Sequence, residues 1–381
     1  MTKSPGEKKI IQLVDEIGEL DLKAMSIARD RQANLAKVPG SLGKLEDFSI
    51  KIAGITGKAT GNEVSKQCVA IMCADNGVVR EGVAAAPQSV TLNQTINFTR
   101  RITGVGSQAL YFGIDLLVTD VGVAQEIPPQ LYTDSMLDQK GNIPVKIVNR
   151  RLMNGTDNLA KGPSMERETA VKAILTGFMA ADAMKKAGVQ LAGIGEMGIG
   201  NTTTSSCLLR AVTGIDAEPL VDRGGGLNDN GLKKKIKIVN EAGERARGMD
   251  PISMLAEVGG LDICAMVGCY LGCARNRIPA VIDGFISIVA ACVAREFCPN
   301  ITDYMFASHK SKESGYLLAI ERLDLSPMFD LKMRLGEGSG CPIAFKIIEA
   351  SCASMNLMMT LSEGDINDSY LDELRKGNFF A

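Results

Sequence analysis

Six short apolar runs, most of them ending in a polar or glycine-rich cluster, constrain the fold of this chain more than any other feature. They are CVAIMCAD (68–75), DLLVTDVGV (115–123), VKIVN (145–149), VQLAGIG (189–195), PAVIDG (279–284) and TDYMFAS (302–308). Each is nearly continuous in apolar residues, as strands covered on both faces are. Longer stretches with helical spacing lie between them, among them RETAVKAILTGFMAADAMKKAG (167–188) and NGLKKKIKIVNEAGERA (230–246). This alternation predicts an α/β fold with a doubly wound, mainly parallel sheet of about six strands. In such sheets ligands bind beyond the carboxyl ends of the strands. The clusters ADNGVVREG, GIGEMGIGN, IDGF and ASHKSKESG should therefore gather at one edge and form one site.

The two ends of the chain read differently. KKIIQLVDEIGELDLKAMSIARDRQANLAK has helical spacing and no strand, and IIEASCASMNLMMTLSEG is also helical. Residues 1–60 and 352–381 are expected to pack together as a small helical domain, beside an α/β domain over 61–351 that carries the site. The length of 381 residues suits one large domain and a lesser one, and 45% apolar residues supply a large core.

Composition excludes several functions. Net charge is −2 with acids and bases interspersed, aromatic residues make up 4%, and Trp is absent. Neither nucleic acid nor an anionic membrane surface is indicated as a partner. The segment MTKSPGEKKI is polar with no apolar run behind it, so no secretory signal is read and a cytoplasmic protein is expected. IPAVIDGFISIVAACVA carries an acid and reads as core rather than membrane span. The ten cysteines sit mostly in apolar runs and read as buried, reduced thiols. Cys269 and Cys273 are four apart with Cys264 nearby, but CxxC pairs are missing and the single histidine is far off at His309. Core packing is favoured over a metal site, and neither metal nor cofactor is expected.

Three glycine loops carry the chemistry. The first is GIGEMGIGNTTTSS (193–206). Gly193, Gly195 and Gly198 match the G-x-G-x-x-G spacing of a dinucleotide turn, and Asp216 lies about twenty residues on. The helix signal, however, begins only at Asn201 and Thr202, and several strands precede this one. The competing reading is a monophosphate site: a loop over 195–200, with Gly198 and Gly200 allowing close approach, then a helix capped by Asn201 or Thr202. An ordinary strand-to-helix turn would share these residues. Glu196 favours a ligand, because a carboxylate in such a loop suits a ribose or a cationic sugar centre.

The second loop is DRGGGLNDNGLKKK (222–235), with Gly224 and Gly226 before a helix capped by Asn228 or Asp229. Lys233, Lys234 and Lys235 lie early in that helix, where cations oppose the dipole unless an anion is near. A solvated basic face accounts for at least two of them. The third is RLGEGSGCP (334–342), where Glu337 stands between Gly336 and Gly338. It suits a general base that must approach a ligand closely, or else an exposed acid in a turn.

GSLGKLED (40–47), GVVREGVAAAPQSVT (77–91), GEMGIGNTT (195–203), IPAVIDGF (278–285), SHKSKESG (308–315) and MRLGEGSG (333–340) together resemble the nicotinate-nucleotide–dimethylbenzimidazole phosphoribosyltransferases, over about residues 40–351. The resemblance implies a parallel-sheet domain with a small helical domain, usually in a homodimer. It implies transfer of phosphoribose from nicotinate mononucleotide to a cobamide lower-ligand base, giving nicotinate and an α-ribotide 5′-phosphate. It assigns Glu337 as catalytic base. It makes Glu196, Gly198 and Gly200 the ribose-phosphate loop and Lys235 the phosphate-contacting lysine, and Asn201, Thr202, Gly224, Gly226, Ser308, Gly336 and Gly338 complete the expected substrate site.

The departures lie in the loop used near the acceptor. Asn76 stands where relatives usually carry His, and Ala84 where they carry a hydroxyl, while Gln88 is kept. These changes open phenol or p-cresol as acceptor beside dimethylbenzimidazole, as in relatives that work as two dissimilar paired subunits. The partner is thus a second copy or a paralogous subunit. A diverged, weakly catalytic partner subunit is the alternative function; the presence of both Glu196 and Glu337 argues against complete loss of activity.

Overall fold

The computed structural model describes residues 3–223, 226–367 and 369. Seven strands form one parallel sheet: β1 (Gln67–Ala74), β2 (Asp115–Gly122), β3 (Tyr132–Thr133), β4 (Ile147–Asn149), β5 (Leu191–Met197), β6 (Ala280–Ile282) and β7 (Met305–Ala307). Their order is β3-β4-β2-β1-β5-β6-β7. Each apolar run of the sequence supplies one strand. The additional strand, β3, is two residues long, too short for any pattern to show. It is held by register with β4 and by the Tyr132 hydroxyl donating to the Asp120 carboxylate.

Successive strands run outward from β1 in both directions, through β2 on one side and β5 on the other. The crevice between the carboxyl ends of β1 and β5 is therefore the point where the winding reverses, the expected ligand position. Met72 and Cys73 of β1 lie beside Glu196 and Met197 of β5. The parallel register thus delivers Glu196 and the 198–201 turn next to the end of β1.

Helices cover both faces. Leu261–Arg275 lies beneath the centre of the sheet and is buried almost throughout, which explains why its pattern is nearly all apolar. Cys264, Cys269 and Cys273 belong to this helix; burial raises the Cys264 thiol above its usual range, and the contact with Cys273, then burial, raise that of Cys269. All ten cysteines are free and buried, except Cys298, which is half-buried. Among the described residues no helix is long and apolar enough to cross a membrane.

At the amino end stand the helices Pro5–Asp15, Leu22–Asn34 and Lys44–Thr56. Ser4 and Glu7 form a reciprocal capping box on the first. Near the carboxyl end, the helix Cys341–Leu357 starts at the sheet and reaches the second and third of these helices. Ala28, Ile50, Ala53 and Met355 form a small apolar cluster there, separate from the main core. Arg31 donates to the Met355 carbonyl at 2.9 Å, and Leu35 bridges to Thr360. The first helix packs elsewhere, with Glu7 paired to Arg167 on the α/β core.

Candidate active site

A cavity of about 360 Å³ opens at the carboxyl ends of β1, β5, β6 and β7. Glu337 stands in its wall. Gly336, Glu337 and Gly338 have φ of +85°, +64° and +86°. A non-glycine residue in the left-handed region costs on the order of 1–2 kcal/mol, so the surroundings must impose it. Two contacts do so. The Asp283 carboxylate, just beyond β6, accepts the N–H groups of Gly338 at 3.0 Å and Gly340 at 2.6 Å. The loop also lies directly on β5, where a Cβ at Gly195 would fall 2.5 Å from the Glu337 carbonyl oxygen.

The Glu337 side chain is 4% exposed. One carboxylate oxygen accepts the Val105 N–H at 3.0 Å, in the first turn of the helix Gly104–Phe112; the other accepts Gln94 Nε2 at 3.2 Å. Burial raises its pKa above the usual carboxylate value, while the groups at this helix start, Val105, Thr103 and Gly104, pull it back. The result is a fixed, half-desolvated carboxylate at the cavity surface, which has the attributes of a general base.

Glu196 faces it from the end of β5. The Glu337 N–H lies 3.4 Å from Glu196 Oε1, and Asn201 Nδ2 donates to the other Glu196 oxygen. Asn201 Nδ2 also reaches Asp262 Oδ2 at 3.2 Å. Burial, and then the Asp262 charge, push Glu196 up to about 8. Burial pushes Asp262 up to about 7. Two buried acids bridged by one amide cannot both ionise cheaply near neutrality.

The turn after β5 corrects one expectation. Neither Asn201 nor Thr202 caps the helix Asn201–Thr213; the cap is Gly200, at φ +97°, and no side chain bonds to the first turn. Asn201 is spent on the two carboxylates instead. The helix N-terminus thus meets the cavity without a side-chain cap, as an anion site requires, although the Asn201 and Thr203 N–H groups bond the Gly198 and Gly200 carbonyls. Lys235, 1% exposed, reaches it from the helix Asp229–Ala246, with Nζ 3.0 Å from Thr202 Oγ1 and 3.1 Å from the Asp222 carbonyl. Burial lowers the Lys235 pKa, and the Glu313 and Asp222 carboxylates oppose that. Lys233 is exposed and Lys234 pairs with Glu81 at 2.9 Å, so these two belong to the surface.

The dinucleotide reading fails on the same geometry. Gly193 and Gly195 lie inside β5 rather than in a turn. Their missing side chains make room for the helix Cys341–Leu357 and the Glu337 loop. A Cβ at Gly193 would fall 2.6 Å from that of Cys341.

The remaining sequence-selected residues divide. Ala84 lines the cavity with Val83, Ala85, Ala86, Val90 and Leu335, forming an apolar wall around Glu337 and Gln94. Asn76 does not reach the acceptor region. It is 1% exposed beneath the 198–200 turn, accepting the Thr204 hydroxyl at 3.0 Å. Gln88 precedes the helix Ser89–Thr99 and does not line the cavity; Gln94 of that helix does. Ser308 is fully buried and donates to the Asp283 carbonyl at 3.1 Å, whereas its neighbours His309 and Ser311 line the cavity. Gly226, at φ +120°, stands in open space outside the lining, and Gly224 lies outside the described residues.

Sequence reasoning missed Asp262, Asp283 and Gln94. Asp283 had a signal, an acid ending an apolar strand directly before glycine. Val90 and Gln94 are four apart on one helix, hence on one face, which would have pointed past Gln88.

Comparison with known proteins agrees with this geometry. A family model described as phosphoribosyltransferase matches residues 17–366. A nicotinate-nucleotide–dimethylbenzimidazole phosphoribosyltransferase of Clostridium perfringens is 46% identical over 366 residues, covering 96% of this chain and 97% of that protein. The protein of the same name from Ruminiclostridium cellulolyticum is 44% identical over 357 residues, covering 93% and 97%. The crystal structure of CobT from Thermus thermophilus superposes with a TM-score of 0.84 at 36% identity, covering 91% of this chain and 99% of that one.

Proposed function

The chain belongs to this phosphoribosyltransferase family, and from that premise we propose that it moves the 5-phosphoribosyl group of nicotinate mononucleotide to an aromatic cobamide lower-ligand base. It is a pentosyl-transferring enzyme, and its relatives' names point to that donor and to dimethylbenzimidazole. The observation that carries the reading is Glu337, held in a strained backbone conformation at the junction of an anion site and an apolar wall.

The phosphate sits at the uncapped N-terminus of Asn201–Thr213, with Lys235 and the Thr202 hydroxyl. The ribose spans from there to Glu196 and Glu337. Nicotinate leaves as a neutral ring, because the donor is a pyridinium, so little acid catalysis is needed. Positive charge develops at C1′; the Glu337 carboxylate beside it lowers the barrier electrostatically, and Glu196 adds to this as it ionises. The acceptor lies on the wall of Val83 to Ala86, Val90 and Leu335, attacks the opposite face, and inverts the anomeric centre. Glu337 takes the acceptor proton as the new bond forms, and Gln94 and Val105 hold the carboxylate in place for that step.

The three consecutive alanines, Ala84 to Ala86, leave space for a bicyclic benzimidazole. They also offer no side-chain hydroxyl, which keeps phenol and p-cresol as acceptors to be tested. Glu196 and Glu337 in one cavity support a chain that is active by itself. The exposed apolar side chains Ile102, Leu110, Tyr111 and Leu335, around the helix Gly104–Phe112, support a dimer, which we take to be a homodimer. The helices at both chain ends form a small helical unit in this reading, supported by the Arg31–Met355 contact, and the enzyme works in the cytoplasm. The deciding experiment incubates the purified chain with nicotinate mononucleotide and either dimethylbenzimidazole or phenol, and resolves the products by chromatography. Nicotinate and an α-ribotide should form; no transfer to either acceptor would refute a self-sufficient enzyme.

A further inference from the structure

One buried acid lies just outside the ligand space and, among the described residues, pairs with no cation. Asp262 is fully buried and stands in the first turn of the 15-residue helix Leu261–Arg275. The turn after β5 seals it from the cavity: a Cβ at Gly198 would fall 2.8 Å from Asp262 Oδ2 and 2.2 Å from the Ala74 carbonyl oxygen. Asp262 Oδ2 accepts Asn201 Nδ2 at 3.2 Å, and Oδ1 has no hydrogen-bond partner. The same Asn201 nitrogen donates to Glu196, which is buried too but lines the cavity.

The charges around the pair are acidic. Glu196 faces Asp262 across Asn201, Asp283 beyond β6, and the Glu337 loop. The Cys73 thiol of β1, near both acids, is raised by burial and stays neutral. The cavity's cations are engaged elsewhere: Lys235 and Arg334 stand with Glu313, Arg223 pairs with Asp229, and His309 lies beside Asp283. Two desolvated carboxyls without a cation hold one negative charge between them near neutrality. Asp262 is the better seat for it. Burial opposes the ionisation of both, but Asp262 has the N–H groups of its own helical turn and the helix dipole behind them. Glu196 ends a strand, which has little dipole, and is the weaker acid of the two.

The donor of the proposed reaction, on which this inference rests, carries a pyridinium cation beside its ribose. A cation arriving next to Glu196 favours the ionised form and supplies what the empty site lacks. We propose that Asp262 is a positioning residue for donor binding: coupled to Glu196 through Asn201, it keeps the empty site at one buried negative charge, held on itself, so that Glu196 releases its proton only when a cationic donor fills the site. The proton passes to solvent and no other group changes. Once the glycosidic bond breaks, the departing ring is neutral, and Glu196 takes a proton back from solvent. Donor binding and proton release are then one event.

Calorimetry at pH 7.5 in two buffers of different ionisation enthalpy counts the protons released as nicotinate mononucleotide binds. Glu196, which titrates at about 8, should release roughly half to one proton per site, and Glu196→Gln should abolish that release. Asp262→Asn keeps an acceptor for Asn201 and removes the charge, so Glu196 should titrate about one pH unit lower or more. Proton release at pH 7.5 should then drop by about half or more. At pH 6.5 this variant should bind the donor on the order of fivefold tighter than wild type, because its one negative charge now lies on Glu196, nearer the ring. A merely structural role for Asp262 predicts weaker binding instead. Asp262→Ser, also neutral, serves if the asparagine variant does not fold. No proton release in wild type, or release unchanged in the neutral variant, would overturn the proposal. Infrared spectra of the ligand-free protein read the same proton without a donor. A protonated-carboxyl band should be present at pH 6.5, vanish in Glu196→Gln, and titrate at lower pH in Asp262→Asn. A chain that binds no donor but shows this pattern would refute the transferase reading and leave the coupling of Asp262 to Glu196 standing; a band that ignores both substitutions would overturn the coupling itself.

Discussion

Replacing Glu196 by Gln tests the electrostatic heart of the site through stability as well as activity. Glu196 is buried against Asp262, and its pKa is pushed from 4.5 to about 8. Ionising it in the folded protein therefore costs roughly 5 kcal/mol at about 1.4 kcal/mol per pH unit, an upper figure because Asp262 shares the charge. Below pH 4.5 both folded and unfolded chains hold this proton, and it contributes nothing to the pH dependence. Between 4.5 and 8 the unfolded chain loses the proton and the folded chain keeps it, so stability falls as pH rises. Above about 8 the full cost is present. Gln imitates the protonated acid and removes this component. Urea denaturation at pH 5, 6, 7 and 8 should show wild type losing stability more steeply than Glu196→Gln, by up to about 4 kcal/mol across the range. The variant should also lose the affinity for the pyridinium donor that wild type gains as Glu196 ionises. Parallel stability curves for the two proteins would refute the buried, proton-holding state of Glu196.

Glu337→Ala should lower turnover by about 10²- to 10⁴-fold while calorimetry finds nicotinate mononucleotide binding largely intact; full retained activity would sink the base assignment. Because burial raises the Glu337 pKa, kcat/KM should fall as pH drops, with its midpoint above the usual carboxylate value. A midpoint at or below that value in the pH–rate profile would contradict the desolvated environment. Lys235→Met keeps the buried stem and removes the charge, so the donor KM should rise on the order of tenfold to a hundredfold with a smaller change in kcat. An unchanged KM would move the phosphate elsewhere. Asp283→Asn weakens the anchor for the Gly338 and Gly340 N–H groups; kcat should fall with little change in donor KM, and a pure KM effect would argue that Asp283 holds substrate rather than the loop.

The strands were legible because the sheet is covered on both faces. Its segments are therefore continuous in apolar residues, and burial alone marks them. β3 escaped because two residues carry no period. The order of strands was not legible, since pairing joins Gln67–Ala74 to Leu191–Met197 across more than a hundred residues of chain. The helix starts were partly legible. Asn228 caps its helix as its position suggests, but Asn201, of the same type and at a similar place, does not. The difference is tertiary: Glu196 and Asp262 offer Asn201 two carboxylate acceptors, stronger partners than a backbone N–H. The same limit explains Gln88 and Asn76, whose loop lines the cavity at Val83 to Ala86. Which of its side chains reach the ligand depends on how the helix Ser89–Thr99 is rotated and on what covers Asn76.

The glycine spacing at 193–198 shows how a local motif can match without its usual function. Gly193 and Gly195 match a dinucleotide fingerprint but serve a contact from the far end of the chain. Gly195 clears the Glu337 carbonyl, and a Cβ at Gly336 would fall 2.4 Å from Glu196 Oε1. The GEMG and GEGSG segments are therefore one object made of two interlocked loops. The Glu196 carboxylate and the Glu337 backbone carbonyl each sit where a glycine of the other loop leaves space, and the Glu337 N–H faces Glu196 Oε1. Widening either loop by one methyl group moves both acids. A Gly195→Ala variant should accordingly lose activity as a Glu337 variant does, through displaced geometry rather than lost chemistry. Its pH–rate midpoint should shift from the wild-type position, because the Val105 and Gln94 bonds to Glu337 would be broken. Activity near wild type, with an unmoved midpoint, would mean that the loops are independent and that the glycines of β5 are there for the sheet alone.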